Sequence, residues 1–355
     1  MLAFMTANEA AEKWNISRRR VLTLCRENRI ANVAMLGNMW IIPIDSTKPE
    51  DARTLRYTKT QDKSVKPFLK WAGGKGQLLK EIEKYYPFAD SKFTKYAEPL
   101  VGGGAVLFDV LSKYDLEEIY ISDTNAELMN TYTVIRDDVD RLIVMLNKMQ
   151  DEFIPLDDEH RKDYYYIQRE KFNYLKVTNT FDVETAALLI FLNRTCFNGL
   201  YRVNKKGQFN VPMGAYKNPL ICDEKNLRAI SEKLERVTIV CGDYTKASDF
   251  IDEHTFVYFD PPYRPLNSTS GFTAYTEEAF GDEDQIKLAK FVDEMDKKGA
   301  KIVVSNSDPK NADENDDFFD KIYSAHTISR VNASRMINSN SKNRGKITEL
   351  LISNF

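Results

Sequence analysis

From residue 66 to the C-terminus, short apolar runs alternate with segments of helical periodicity. The apolar runs predict seven strands, at residues 95–99, 118–122, 236–241, 255–260, 300–305, 321–327 and 348–353. Helical patterns occupy several of the intervals between them, at residues 76–85, 104–113, 125–136 and 282–298. This alternation predicts an α/β fold with a doubly wound, mostly parallel sheet. No strong helical pattern separates the last two strand candidates, which predicts an antiparallel pair at one edge.

Residues 137–235 interrupt the alternation. They are largely helical in pattern, with a stretch rich in glycine and asparagine at 196–219. An insertion between the strands of an α/β domain often carries specificity, so we expect this segment to recognise a ligand. Residues 46–64 are polar and lack apolar periodicity, which predicts a linker.

Residues 1–45 have the pattern of a small module. Thr6 followed by Glu9 resembles a capping box at the start of one helix, and a second helix is predicted at 18–28. The second helix should bury its apolar side chains, Val21, Leu22, Leu24 and Cys25. Two short strands, 33–36 and 39–43, follow around a Gly-Asn turn. Two helices and a strand pair predict a winged helix-turn-helix.

Composition excludes several classes of protein. The chain has 355 residues, of which 43% are hydrophobic, enough for a sizeable core. No apolar run is long enough to span a membrane, and the first residues lack the pattern of a secretory signal, so we expect a cytoplasmic protein. The four cysteines form no C-x-x-C pair and the three histidines lie far apart, so we expect neither a disulfide framework nor a metal site.

Charge is distributed unevenly along the chain. The net charge of −3 does not by itself suggest binding to nucleic acid. However, residues 330–346 contain five basic residues and no acidic one, and residues 17–30 contain five arginines and one glutamate. Such runs are either solvated surfaces or contacts to phosphate, and the sequence leaves both interpretations open.

The segment Asp260-Pro261-Pro262-Tyr263 directly follows a predicted strand. An acid at the carboxyl end of a strand lies where open α/β sheets bind ligands. The two prolines stiffen the turn and lack N–H donors, which leaves carbonyl oxygens free to accept hydrogen bonds. A carboxylate, a carbonyl and an aromatic ring together suit the amino group of a flat base. The alternative is a turn that only ends the strand.

Two glycine-containing segments and one further acid indicate a second ligand. The turn Gly102-Gly103-Gly104 joins a strand to a helix, where a ligand can approach the backbone closely. It matches neither G-x-G-x-x-G nor a Walker loop, so NAD and ATP are not favoured. Asp123 ends the next strand, where an acid can hold a ribose diol. Residues 67–75 place Trp71 and Lys75 around two glycines, which suits an adenosine and carboxylate pocket or merely a helix entry.

The four segments, FLKWAGGK, EPLVGGGAV, SDTN and DPPY, occur in one order. In that order the chain resembles the Dam-type DNA adenine methyltransferases of the α arrangement over residues 66–355, or about four-fifths of its length. The resemblance implies a Rossmann-like catalytic domain at 66–136 and 236–355 with a target-recognition domain at 137–235. It also implies transfer of a methyl group from S-adenosylmethionine to N6 of an adenine that has been flipped out of double-stranded DNA.

The same resemblance implies roles for individual residues. The catalytic turn would be Asp260 to Tyr263, with Asp260 and the Pro261 carbonyl accepting the two N6–H bonds and Tyr263 stacking on the extruded adenine. The residues that would contact S-adenosylmethionine are Trp71, Lys75, Glu98, Gly102, Gly104, Asp123, Asp243, Tyr244 and Asp260. No metal and no covalent intermediate are expected.

Residues 193–212 look like the recognition hairpin of enzymes that act on GATC. By this resemblance Arg202 would read a guanine with two hydrogen bonds. The residues that would contact DNA are Phe197, Asn198, Leu200, Arg202, Pro212, Tyr216, Arg335, Lys342 and Arg344. A hairpin whose basic side chains contact only phosphates is the alternative.

Two other functions stay open at this point. One is a cytosine-N4 methyltransferase, which also uses a proline-rich turn after an acid. The other is a DNA-binding regulator with a degenerate methylase domain, because residues 1–45 resemble the winged helix-turn-helix domains of the excisionase and MerR type. The sequence favours a monomer and leaves open whether a cognate restriction endonuclease is a partner.

Overall fold

The computed structural model describes residues 4–14, 18–26, 30, 33–36, 39–44, 46, 65–71, 73–264, 280–334 and 346–355. The chain divides into two compact units, Met1–Lys63 and Ser64–Phe355. None of the described helices is both long and apolar enough to cross a membrane.

The first unit is a small three-stranded sheet with two helices. It contains β1 (Phe4–Thr6), α1 (Ala7–Trp14), α2 (Arg18–Arg26), β2 (Ala34–Leu36) and β3 (Met39–Pro43). The strands pair antiparallel in the order β1-β3-β2. The two predicted helices and the predicted strand pair are confirmed. The sequence did not indicate β1, since three residues are too few to show a strand pattern.

The capping box at the start of α1 is confirmed. The backbone N–H of Thr6 donates to Glu9 Oε2 at 2.6 Å, and the backbone N–H of Glu9 donates to Thr6 Oγ1 at 3.3 Å. These bonds also lower the pKa of Glu9. In α2, the predicted inward side chains Val21, Leu24 and Cys25 are buried, whereas Leu22 is half-buried. These elements make the helix and strand succession of the predicted module, whose DNA-binding role stays a prediction.

The second unit is built on a seven-stranded sheet. Its strands are β4 (Lys95–Pro99), β5 (Glu118–Asp123), β6 (Val237–Cys241), β7 (Thr255–Phe259), β8 (Lys301–Ser307), β9 (Thr327–Ser334) and β10 (Lys346–Ser353). The order across the sheet is β6-β5-β4-β7-β8-β10-β9. The first five run parallel, and β10 pairs antiparallel with both β8 and β9. The mostly parallel sheet is confirmed. An antiparallel pair at one edge is also present, although its outer strand begins at Thr327 and does not occupy the predicted residues 321–327.

The helices of this unit fall into two groups. Those that belong to the alternating part are α3 (Leu79–Ile82), α4 (Ala105–Lys113), α5 (Ala126–Asp137), α10 (Asp282–Lys297) and α11 (Phe318–Ile322). Those of the insert are α6 (Val139–Phe153), α7 (Asp158–Val177), α8 (Val183–Thr195) and α9 (Glu224–Leu234). The helix predicted at 76–85 is divided, because short 3₁₀ turns flank the four residues of α3.

The strand predicted at 321–327 is wrong. The structure has α11 up to Ile322, and β9 begins only at Thr327. Phe319 and Tyr323 are both buried, and their spacing of four residues is that of a helix face. The true strand was hidden because β9 lies at the sheet edge, where the side chains of residues 327–332 are exposed or half-buried and no apolar run forms.

Both faces of the sheet are covered. Along β7, Phe256 and Tyr258 pack into one apolar cluster and Val257 and Phe259 into another, as the alternation of a strand requires. The first cluster continues into α8, in which eleven of thirteen residues are buried. The helical insert therefore shares its core with one face of the sheet.

Three insert helices begin at aspartate caps. The backbone N–H of His160 donates to Asp157 at 3.0 Å, and equivalent bonds start the next two helices at Asp182 and Asp223. Such caps satisfy backbone donors that have no partner inside the helix. After α8 the chain forms an irregular hairpin with bridges between Cys196 and Met213 and between Val203 and Phe209.

Candidate active site

The carboxyl ends of four neighbouring parallel strands carry the predicted site residues. The register pairs Glu98 with Ile121 and Asp123 with Cys241 across β4, β5 and β6, while β7 runs parallel to β4 and ends at Phe259. The glycine turn, the SDTN segment, Asp243 and the DPPY turn therefore leave the sheet at the same edge. This is the edge at which open α/β sheets bind ligands.

Asp260 begins the turn after β7 and is held from two sides. Its Oδ1 accepts a hydrogen bond from Ser305 Oγ at 2.9 Å and lies 2.6 Å from Lys75 Nζ. Ser305 in turn accepts a bond from Tyr258 at 3.0 Å. About a fifth of the Asp260 side chain is exposed (22%), and both contacts are made by Oδ1. Oδ2 is thus able to accept a hydrogen bond from an amino group.

Lys75 connects the WAGGK segment with the DPPY turn. Its side chain is only 3% exposed, yet it pairs with Asp260 and donates to the Gly73 carbonyl at 2.9 Å. The ammonium also lies 4.7 Å from the centre of the Tyr263 ring. The Tyr263 hydroxyl donates to Glu349 Oε2 at 2.6 Å. The charge of this buried lysine is compensated by the carboxylate, and the ion pair fixes the DPPY turn against the WAGGK segment.

Trp71 lies directly against the glycine turn. A Cβ added at Gly103 would lie 2.7 Å from Trp71 Cβ, so no side chain fits there. Gly104 adopts a left-handed conformation with φ 71°, and a Cβ there would lie 2.4 Å from the Tyr132 hydroxyl. Close packing therefore requires glycine at both positions, and at Gly104 the backbone conformation requires it as well.

Asp123 holds the glycine turn from the neighbouring strand. Its Oδ2 accepts the backbone N–H of Gly102 at 3.0 Å, and its Oδ1 accepts that of Asn125 at 2.9 Å. Burial raises the pKa of Asp123, while these backbone bonds act in the opposite direction. Asn125 then caps α5 by accepting from the backbone N–H of Leu128 at 2.8 Å. The SDTN segment therefore orders both the turn and the next helix.

Glu98 lies in the interior below this edge. It is 2% exposed, and the Tyr96 hydroxyl donates to its Oε2 at 2.6 Å. Burial raises the pKa of Glu98 to about 8, and the neighbouring charge of Asp260 acts in the same direction. The side chain is thus mostly protonated at neutral pH.

The third strand end contributes Asp243 and Tyr244. Asp243 is exposed and caps a short 3₁₀ turn by accepting the backbone N–H of Thr245 at 2.9 Å. The Tyr244 ring is half-buried and meets Phe291 edge-on, with 5.3 Å between the ring centres. Both residues lie at the predicted edge.

The hairpin after α8 holds the predicted DNA-contacting residues. Arg202 donates from Nε to Asn210 Oδ1 at 2.8 Å and from one terminal nitrogen to the Asn210 carbonyl at 3.4 Å. Phe197 is 52% exposed, so its ring is accessible from the surface. Asn198 is in a left-handed conformation with φ 56°. The hairpin thus presents an aromatic ring and a guanidinium on an ordered backbone.

Other predicted DNA contacts lie in the same hairpin or directly after it. Leu200 is half-buried and Pro212 is exposed, and the Pro212 carbonyl accepts the backbone N–H of Phe197 at 2.8 Å. Tyr216 is half-buried beneath the ammonium of Lys70, which lies 4.8 Å from the ring centre. The predicted contacts Arg335, Lys342 and Arg344 lie outside the described residues.

Residues 71–337 match the family described as D12 class N6 adenine-specific DNA methyltransferases. The chain belongs to this family. It is an adenine-specific DNA methyltransferase, which confirms the predicted activity in preference to cytosine-N4 chemistry.

Curated relatives agree over most of the methyltransferase. It is 52% identical over 294 residues to the Type II methyltransferase M.MjaIII of Methanocaldococcus jannaschii, covering 82% of this chain and 99% of the relative. It is 36% identical over 290 residues to a DNA adenine methylase of Haemophilus influenzae, covering 81% and 92%. It is 32% identical over 289 residues to the DNA adenine methylase of Escherichia coli, covering 81% of this chain and 95% of the relative.

The methyltransferase also has contacts around the site that the sequence did not indicate. The Tyr201 ring stacks on Trp71 with 5.3 Å between ring centres, and its hydroxyl accepts a bond from Lys176 at 3.1 Å. Lys176 pairs with the buried Glu127 at the start of α5. Asn193 bonds both backbone groups of Lys70 at 2.8 Å. These contacts join the hairpin and the end of α8 directly to the FLKWAGGK segment, and join Tyr201 through Lys176 to the start of α5.

Proposed function

We propose that this adenine methyltransferase takes its methyl group from S-adenosylmethionine, held at the carboxyl edge of the sheet. Trp71, Asp123 and Asp243 would hold this cofactor, with Gly102 and Gly104 letting it approach the backbone. The donor set suits it, because the cofactor carries cationic groups and a ribose diol, while this edge carries carboxylates and an indole ring. When bound, S-adenosylmethionine would supply an electrophilic methyl group.

We further propose that the DPPY turn grips the amine of an adenine extruded from duplex DNA. Extrusion costs a few kcal/mol and is needed because N6 is otherwise inside the duplex. Asp260 Oδ2 and the Pro261 carbonyl would accept the two N6–H bonds, and Tyr263 would stack on the ring. When both N6–H groups donate to these acceptors, the nitrogen lone pair is less delocalised into the ring and is available to attack the methyl group. Catalysis is then mainly a matter of positioning and electrostatics. The carboxylate can also hold the proton that N6 loses.

The observation that supports this role is the geometry of Asp260. Lys75 and Ser305 fix its Oδ1, so that the second oxygen has a defined position at the sheet edge. Preorganised groups of this kind favour the transition state without reorganising during the reaction.

The test is Asp260→Asn, which preserves size and removes the anionic acceptor. Methyl transfer from tritiated cofactor to duplex DNA should fall by about 100-fold or more. DNA affinity measured by filter binding should stay close to that of the unmodified enzyme. Asp249→Asn, at an exposed position of the same domain, is the matched control. Unchanged turnover of Asp260→Asn would remove this carboxylate from the mechanism.

For the target, we propose a GATC-like duplex site read by the hairpin at 193–212. Arg202 uses two of its five N–H donors on Asn210, which leaves donors for the O6 and N7 atoms of a guanine. Phe197 is exposed enough to enter the duplex at the position left by the flipped base. Methylation-sensitive sequencing of DNA from cells that express the enzyme would report the modified base together with its sequence context.

For residues 1–45, we propose a DNA-binding winged helix-turn-helix that assists target location or regulates the enzyme's own expression. Its support is the succession of α1, α2 and the β2–β3 pair, with Arg18 exposed on α2. Comparing the DNA affinity of the full chain with that of residues 64–355 would test it. Equal affinities at low salt would argue against a DNA-binding role.

A further inference from the structure

The DPPY turn offers two proline carbonyls, and the structure distinguishes them. Gln285 Nε2 donates a hydrogen bond to the Pro262 carbonyl at 3.0 Å. Gln285 lies in the first turns of α10 and is completely buried. The Pro262 carbonyl is thus taken by a protein donor. In the proposed mechanism it is the preceding carbonyl, that of Pro261, that accepts from the substrate.

A second buried amide fixes the orientation of the first. Asn306 Nδ2 donates to Gln285 Oε1 at 3.1 Å, and Asn306 Oδ1 accepts the backbone N–H of Ser307 at 2.9 Å. Asn306 lies on β8 and is also completely buried. Because the backbone N–H of Ser307 can only donate, the oxygen of Asn306 must face it. The NH₂ group of Asn306 then faces the oxygen of Gln285. The donor end of Gln285 must therefore face the turn.

The burial of two side-chain amides next to the DPPY turn needs an explanation. Burying an amide is unfavourable unless its hydrogen bonds are made, and an apolar side chain of similar shape can replace a satisfied pair at little loss of stability. The network, however, connects the strand beside β7 with the catalytic turn itself. The same strand also supplies Ser305, which holds Asp260. The two ends of the turn are thus anchored to one neighbouring strand.

We propose that Gln285 and Asn306 are positioning residues for methyl transfer. They fix the Pro262 carbonyl through an oriented chain of hydrogen bonds, which directs the Pro261 carbonyl and the Asp260 carboxylate toward the N6 amine. They act through the turn and do not contact the substrate. This inference rests on the proposed role of the turn, and its test is separable from that role.

The first variant is Gln285→Met, which has a similar length and no amide. A catalytic group misplaced by about 1 Å lowers the rate by about 100-fold, so kcat should fall by up to that factor. The KM values for DNA and for S-adenosylmethionine should change little, because Gln285 is completely buried and would not contact either ligand. Glu283→Gln, an exposed position on the same helix, is the matched control and should leave both parameters unchanged.

The second variant, Gln285→Glu, has a distinctive pH profile. A protonated carboxyl can donate to the Pro262 carbonyl and accept from Asn306, as the amide does, whereas a carboxylate can only accept. The ratio of variant to unmodified kcat should therefore approach one at the acid end of the active range and fall as pH rises. The charged groups beside the turn, Lys75 with Asp260 and Arg264 with Asp282, are common to both proteins, so the effect of their own titration on kcat is common to both profiles.

The outcomes separate the two proposals. Failure of the unmodified enzyme to label adenine would overturn the proposed function. If the unmodified enzyme methylates adenine and the Gln285→Met variant keeps full kcat, this inference alone would be overturned. If that variant does not fold, the pH ratio of Gln285→Glu decides, and a ratio that stays constant across the range would also overturn it.

Discussion

Replacing Glu98 by glutamine should change how the stability of the protein depends on pH. Glu98 is buried, and burial raises its pKa from an ordinary 4.5 to about 8. One pKa unit corresponds to about 1.4 kcal/mol, so keeping Glu98 ionised in the folded state disfavours folding by about 5 kcal/mol at most. Glutamine retains an oxygen that can accept from Tyr96 and cannot ionise.

The direction follows from the order of the two pKa values. The unfolded chain releases the Glu98 proton near pH 4.5, whereas the folded protein holds it until about pH 8. Below pH 4.5 the group therefore favours the folded state fully, and this contribution is lost as pH rises toward 8. The Glu98→Gln variant should gain stability relative to the unmodified protein over this interval, and the difference should level off above pH 8.

Urea unfolding followed by circular dichroism at several pH values between 5 and 9 measures this difference. Glu117→Gln, at an exposed position, is the control and should give a difference that hardly varies with pH. If the Glu98→Gln difference is equally flat, Glu98 is ionised in the folded protein and the argument from burial is wrong.

Two further predictions concern the hairpin. Tyr201→Ala removes the ring stacked on Trp71, so binding of S-adenosylmethionine measured by calorimetry should weaken by about 2- to 10-fold. Tyr201→Phe keeps the stack and should bind normally, and equal weakening in both variants would refute a role for stacking. Arg202→Lys should lower discrimination between GATC and single-base variants by about 10- to 100-fold in methylation assays. A uniform loss on all duplexes would instead indicate that Arg202 contacts phosphate.

Much of the catalytic unit could be predicted from its sequence, because its strands are buried. In β7, every residue from Thr255 to Phe259 is buried, so the apolar run matches the strand almost residue for residue. The edge strand β9 is different, since no strand among the described residues pairs with its outer side and its side chains need not be apolar. The prediction at 321–327 failed there for this reason, and the apolar spacing of a short helix was taken for a strand.

The candidate site could be predicted only where neighbouring residues form a motif. The segments that contain Lys75 and Asp260 were recognisable separately, but the 2.6 Å contact between them joins positions 185 residues apart. The buried amides at 285 and 306 and the Tyr201 stack gave no local signal, because each looks like an ordinary helix, strand or hairpin residue. Their contacts arise only from the fold, which brings the amides to the DPPY turn and Tyr201 to Trp71.

The charges at the sheet edge explain how two carboxyl groups can lie near one lysine. Lys75 has a single positive charge and forms its ion pair with Asp260. A second charged carboxylate at Glu98 would be buried next to that pair with no cation of its own, and the charge of Asp260 contributes to the raised pKa of Glu98. Glu98 therefore retains its proton, and the group of three is neutral overall. The anionic charge is thus concentrated on Asp260, the partly exposed carboxylate at the turn, which is where the proposed mechanism needs an acceptor for the proton of the amine.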